Sequence, residues 1–109
     1  MDQENFAQRI RDLKQQMMDA EIAVAQSEAN LKKLYAMKKV EAAASGLKAD
    51  NAQQTYADAD DEVFAARLEV GKQKAFLAAA KVEARARDVE FETWRTEQAN
   101  VRRERSRYG

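Results

Sequence analysis

Four arginines close to the C-terminal end, Arg102, Arg103, Arg105 and Arg107, stand beside Tyr108 and carry the clearest chemical potential in the chain. A guanidinium pairs bidentately with phosphate or carboxylate, and an aromatic neighbour can stack on a base. The same arginines also suit the last turns of a helix, where the macrodipole favours cations. Arg95, Trp94 and Phe76 complete the set of candidate contact residues, because Trp and Arg are over-represented among the residues that anchor interfaces. Trp94 lies three residues from Phe91, a spacing that equally suits a helix core.

A second cluster is acidic: Asp58, Asp60, Asp61 and Glu62. Convergent carboxylate oxygens can hold a hard cation, but the long ligand spacing and central Gly of a calcium loop are missing. Carboxylates at this density fit the start of a helix, through capping and the dipole. No metal site and no cofactor are expected. With no His and no Cys in 109 residues, the commonest general base, the commonest metal ligand and thiolate chemistry are all missing. A hydroxyl nucleophile would need Lys or a carboxylate in a pocket as its base, and no phosphate-cradling Gly loop exists. The expectation is a protein that is not an enzyme.

The elements that must position these residues are helices. Pro is absent and Gly occurs only three times, at 46, 71 and 109, too few turn residues for a β or α/β fold. Stepping by four and three from Phe6 gives Ile10, Leu13, Met17, Ala20, Val24, Ser27, Leu31 and Leu34, the mean spacing of a coiled coil. Beyond Leu34 the apolar residues Met37, Val40 and Ala44 suggest that the seam slips. Ser45-Gly46 closes this first helix, read as about 3–45, with Gly46 in the left-handed position. A hinge and short helix follow over about 46–60, with a capping residue offered by Ala49-Asp50-Asn51.

A second long helix, read as about 61–105, carries two apolar rows. One is Val63, Ala66, Val70, Gln73, Leu77, Ala80, Ala84, Arg87, Phe91, Trp94, Gln98, Val101, with polar lapses at Gln73, Arg87 and Gln98. The other is Phe64, Leu68, Ala75, Ala79, Val82, Ala86, Val89. Two rows require two neighbours. Gly71 and the alanines of the helix middle would let a neighbouring backbone approach closely. Residues 102–109 read as a frayed basic tail. The expected fold is all-α: a single domain over 1–109, an extended antiparallel helical hairpin with coiled-coil packing, dimeric through the second row. Ala accounts for 22 residues and Leu for 6, so one copy has little apolar area with which to build a core.

Lys+Arg and Asp+Glu balance at 19 each, so no global field attracts nucleic acid. The start, Met1-Asp2-Gln3-Glu4-Asn5, is polar and acidic and does not read as a signal peptide. No apolar run has membrane-spanning length, so the expected location is the cytoplasm.

Ser45-Gly46-Leu47-Lys48-Ala49-Asp50, then Asp60-Asp61-Glu62-Val63 opening a long helix, then Phe91-Glu92-Thr93-Trp94-Arg95-Thr96-Glu97-Gln98-Ala99-Asn100 before an Arg/Glu-rich end, form an order that resembles a family. It is similar to small helical accessory proteins of tailed bacteriophages, encoded beside single-strand annealing or binding genes of recombination. The resemblance covers most of the chain and carries over no functional residues. It implies a phage-encoded, non-enzymatic accessory protein in an infected bacterial cytoplasm, and does not imply DNA binding. The leading functional expectation is a protein-interaction module that docks on a protein of DNA metabolism or defence. The alternatives are a nucleic-acid-binding dimer using the Arg cluster, and a structural coiled-coil spacer or virion component.

Overall fold

The computed structural model describes residues 3–108, with side chains from Asn5 to Arg107. Three helices account for nearly all of them: α1 (Gln3–Ala44), α2 (Asp50–Asp58) and α3 (Asp61–Tyr108). No strand occurs among the described residues. The fold is all-α, with α1 packed on α3 as a hairpin. Contacts divide the chain into two compact units, Met1–Met18 with Ala78–Gly109, and Asp19–Leu77.

In the second unit, Asp19–Leu77, the partners run antiparallel. Glu28 meets Lys74, Tyr35 meets Arg67, and Lys38 meets Glu62, so numbers rise along α1 as they fall along α3. Val24, Ser27, Leu31 and Leu34 face inward, half-buried, and Val63, Ala66 and Val70 are buried opposite them. Ser27, the polar member of the seam, donates its hydroxyl hydrogen to the Val24 carbonyl at 2.9 Å, so its polarity costs little inside the packing.

The expected slip after Leu34 does not occur. The seam keeps its spacing through Lys38, whose side chain is only 16% exposed, to Ala42, which is fully buried. Met37 and Val40 point outward, Val40 at 70% exposure. A charge can hold a seam position here because carboxylates come to meet it: Lys38 Nζ lies 3.3 Å from Asp60 and 3.4 Å from Glu41. Its methylene stem supplies the apolar contact while the ammonium reaches the rim.

α1 closes as foreseen. Gly46 has φ +99°, its N–H donates to the Ala43 carbonyl, and the Leu47 N–H donates to Ala42, each at 3.1 Å. That paired 5→2 and 6→1 pattern is a Schellman ending, which needs the left-handed residue that Gly tolerates. α2 follows after a few residues, but the offered cap is not used. Ala49 precedes α2 with no side-chain cap bond, and Asp50 instead accepts from Lys39 and Gln54 at 2.9 Å each. Ala57 of α2 is fully buried.

The acidic cluster starts α3, as its density suggests. Asp60 Oδ1 accepts from the backbone N–H of Glu62 at 2.9 Å and of Val63 at 3.1 Å, which makes it the N-cap. Partial burial works to raise the Asp60 carboxyl. The Val63 N–H, the Lys38 ammonium and the Glu62 N–H outweigh it and hold the group below its ordinary value. Lys38 is held above its own value by its hydrogen bond to Asp60, against desolvation, with help from Glu41. The lowered carboxyl contributes stability fully above the unfolded carboxylate value of about 4, and that contribution disappears as pH falls through the folded value. The raised Lys contributes below the unfolded value of about 10.4 and is lost as pH rises through the folded one. Asp60→Asn keeps a capping oxygen and loses the charge, whereas Asp60→Ala loses both. Melting temperature near pH 7 is expected to fall in the order wild type, Asn, Ala. The gap between wild type and Asn should shrink as pH falls through the lowered Asp60 value and close once the carboxyl is protonated in both states. An Asn variant with an unchanged gap at acid pH would remove the Lys38–Asp60 pair from this account.

In the first unit, Phe6 of α1 is 4% exposed and meets Phe91 and Trp94 of α3, both ring centroids 5.5 Å away. Ile10, Leu13 and Met17 continue inward and half-buried along α1, as do Ala80, Ala84 and Arg87 along α3. Arg87 is a polar lapse satisfied within its own helix: Nη1 reaches Glu90 at 2.6 Å and Nη2 reaches Glu83 at 2.8 Å. These bonds, to Glu90 first and then to Glu83, raise the guanidinium above its ordinary value. α3 does not end near 105. It continues as helix to Tyr108, so the basic stretch is helical, not a frayed tail.

Gly71 lies inside α3, and a Cβ built on it meets nothing within 4 Å. The close backbone approach expected there has no partner within this chain. Gly71→Ala should therefore stabilise the helix by about 1 kcal/mol, seen as a melting point several degrees higher. A fall instead would mean that another copy's backbone already occupies the space.

Candidate interaction surfaces

The residues singled out for interaction separate into three groups once the helices place them. Trp94 belongs to packing. With Phe91 it forms the α3 side of the aromatic cluster, the two centroids 6.1 Å apart and the rings stacked, and it closes on Phe6. Tilted and offset pairs at these separations suit the ring quadrupoles. Arg95 sits on the edge of the same cluster, its guanidinium 5.8 Å from the Phe91 centroid and 3.4 Å from Glu92.

The outward apolar residues form the second group. In the unit Asp19–Leu77, Phe64 and Leu68 are 61% and 60% exposed, and Gly71 and Ala75 extend their row at the same three-four spacing. Phe76 is also exposed, about a third of a turn from Ala75, with the Lys72 ammonium 5.8 Å from its ring. In the other unit, Val82, Ala86 and Val89 are all exposed in a row of the same spacing. The row read from sequence is therefore uncovered by this chain at every described position. The first row is packed through Leu77 in one unit and to Trp94 in the other, but its last members, Gln98 and Val101, are exposed and do not join the packing.

An outward row on α1 was missed by sequence reasoning. In the unit Asp19–Leu77, Ile22, Ala25, Ala29, Ala36, Val40 and Ala43 recur at helical spacing and are exposed, interrupted by Lys32 and Lys33. The spacing carries the signal, but Val40 belongs by residue type to the seam, which hides the row.

The third group is the arginine stretch. Every described residue from Arg95 to Arg107 is exposed. Arg102, Arg103, Arg105 and Arg107 make no ion pair or side-chain hydrogen bond among the described residues, unlike Arg67 with Asp58 or Arg87 with its two glutamates. The side chain of Tyr108 lies outside the described residues, as do Met1, Asp2 and Gly109.

Grooves along the helices are shallow. One in the first unit is lined by Ile10, Leu13, Met17, Ala84, Arg85 and Asp88. It brings Lys14, Lys81 and a carboxylate near apolar walls, but no hydroxyl nucleophile. No group of three or more possible metal ligands converges among the described residues, and no described helix is long and apolar enough to cross a membrane. Comparison with protein-family models, curated proteins and solved structures finds no match to this chain.

Proposed function

We propose that this chain is a non-enzymatic protein-interaction module that pairs with a second copy of itself and docks on a protein of DNA metabolism or defence. It acts by occlusion or scaffolding through a helical face, with no bond made or broken. The observation that carries this reading is the outward apolar row of α3, with Phe64 and Leu68 more than half exposed. The sparse interior supports it. Among the described residues the buried apolar side chains are Phe6, Val63, Val70 and three alanines, Ala42, Ala57 and Ala66, little area to offset the chain entropy lost on folding. Large apolar residues left in water at regular spacing mark an interface. The setting, a phage accessory protein at work in the bacterial cytoplasm, rests on the family resemblance alone.

The test is capture from bacterial lysate on the tagged chain, with and without nuclease, beside a Leu68→Glu control. One protein held in stoichiometric amount after nuclease, and lost with the control, supports docking through this row. If every captured protein leaves with nuclease and none stays in stoichiometric amount, the docking reading is overturned in favour of nucleic-acid bridging. A bare chain overturns the docking half and leaves a structural coiled coil.

A further inference from the structure

We propose that the exposed end of α3, Arg95–Arg107, is a duplex-DNA-binding helix that lies in the major groove with arginines against both phosphate walls. The arrangement follows from carrying helical geometry through to Tyr108. At about 100° per residue, Arg95 and Arg102, seven residues apart, lie nearly above one another. Arg103 and Arg107, four apart, form a second edge on the same half of the helix. Between the two edges lie Ala99 and Ser106, again seven apart. The two acidic residues of the stretch, Glu97 and Glu104, share the opposite half, and Arg105 stands at the border. One half of the helix is thus basic at both edges and small along its centre, and the other half holds both carboxylates.

That distribution selects the occupant. A single carboxylate or a small anion would use one arginine fork. A flat acidic protein face would favour arginines along one line. Two arginine edges separated by small residues match a groove whose two rims are negative and whose floor must be approached closely. The B-DNA major groove is about 12 Å wide and admits an α-helix, whereas the A-form major groove of RNA is too narrow and deep to be entered this way. Among the described residues Arg102, Arg103 and Arg107 have no internal partner, so at those three positions no ion pair must be broken before phosphate is met, whereas Arg95 would exchange its 3.4 Å contact with Glu92. The zero net charge of the chain does not oppose this. At physiological ionic strength charges more than about 8 Å away are largely screened, so a phosphate at the helix end responds chiefly to the local arginines. This site does not depend on the apolar row.

The experiment is fluorescence anisotropy with the full chain and a labelled mixed-sequence duplex of roughly two helical turns. The same strand unpaired and the matching RNA duplex serve as competing probes. Binding to the DNA duplex is expected at ~50 mM salt, weakening roughly a hundredfold by ~200 mM as about four counterions are released. The triple variant Arg102→Ala, Arg103→Ala, Arg107→Ala should bind at least about tenfold more weakly, with a salt slope shallower by about three. These positions are exposed and alanine favours helix, so unchanged circular dichroism will show that the fold is intact. Glu97→Gln with Glu104→Gln, on the far half, should bind as well as or better than wild type. No duplex binding at ~50 mM salt overturns the proposal. So does tighter binding of the single strand or the RNA, equal affinity in the triple arginine variant, or lost affinity in the glutamate variant.

Discussion

Replacing Phe6 with alanine is expected to destabilise the protein by about 3 kcal/mol, the largest loss from any single truncation. Phe6 is 4% exposed and touches both Phe91 and Trp94, so its removal strips the α1 side from the aromatic cluster. In a domain of this size that corresponds to a melting temperature lower by more than about 10 °C. Phe6→Leu restores volume without the ring and should recover about half of the loss. A double-mutant cycle with Trp94→Ala should yield a coupling of about 1 kcal/mol, the range of aromatic pairs beyond their area. A Phe6→Ala protein that melts within a degree or two of wild type would mean that the cluster contributes no cooperative stability.

Placing a charge on the outward row is the second large effect. Leu68→Glu is expected to convert the proposed dimer to a monomer at tens of micromolar, read by light scattering or sedimentation, with the dissociation constant raised by roughly a hundredfold. A carboxylate facing an apolar row must be desolvated with no partner on offer, a cost of several kcal/mol. The single chain should hardly notice the change, because Leu68 is 60% exposed and surface substitutions usually shift stability by less than about 0.5 kcal/mol. The diagnostic result is lost association with unchanged helicity. A wild-type chain that sediments as a monomer at several hundred micromolar would remove self-association from the functional account.

Much of the fold was legible because apolar side chains recur at helical spacing from Phe6 to Leu34, and because one glycine had an obvious task. What sequence reasoning misjudged was a position where chemistry ran against residue type. Lys38 reads as surface and Val40 as seam. Their roles are reversed because Asp60 and Glu62, distant along the chain, come to meet the ammonium. Spacing alone favours Lys38, four residues after Leu34, and residue type alone favours Val40. The structure sides with spacing, since the packing geometry of the helix is set before the chemistry of any one residue is accommodated. Spacing places the polar lapse at Arg87 on the seam, where it lies, but its resolution by Glu83 and Glu90 depends on rotamers that no pattern reveals. The candidate site was legible in content and not in layout. Four arginines were plain to see, yet their division into edges requires the helix to persist to the end, and reading residues 102–109 as frayed erased it.

The pairing of α1 with α3 also bears on the order in which the chain can fold. Lys39 and Asp50 lie 11 residues apart and Asp58 and Arg67 lie 9 apart, so contacts around α2 close short loops. Phe6 and Trp94 can meet only by closing almost the whole chain, which costs more entropy if attempted first. The inexpensive route starts at Gly46, α2 and the Asp60 cap and zips outward, each turn shortening the loop that the next must close. Substitutions near the connection should therefore slow folding, while those at the aromatic cluster should mainly hasten unfolding. A protein arranged in this way closes its aromatic cluster last and opens there first.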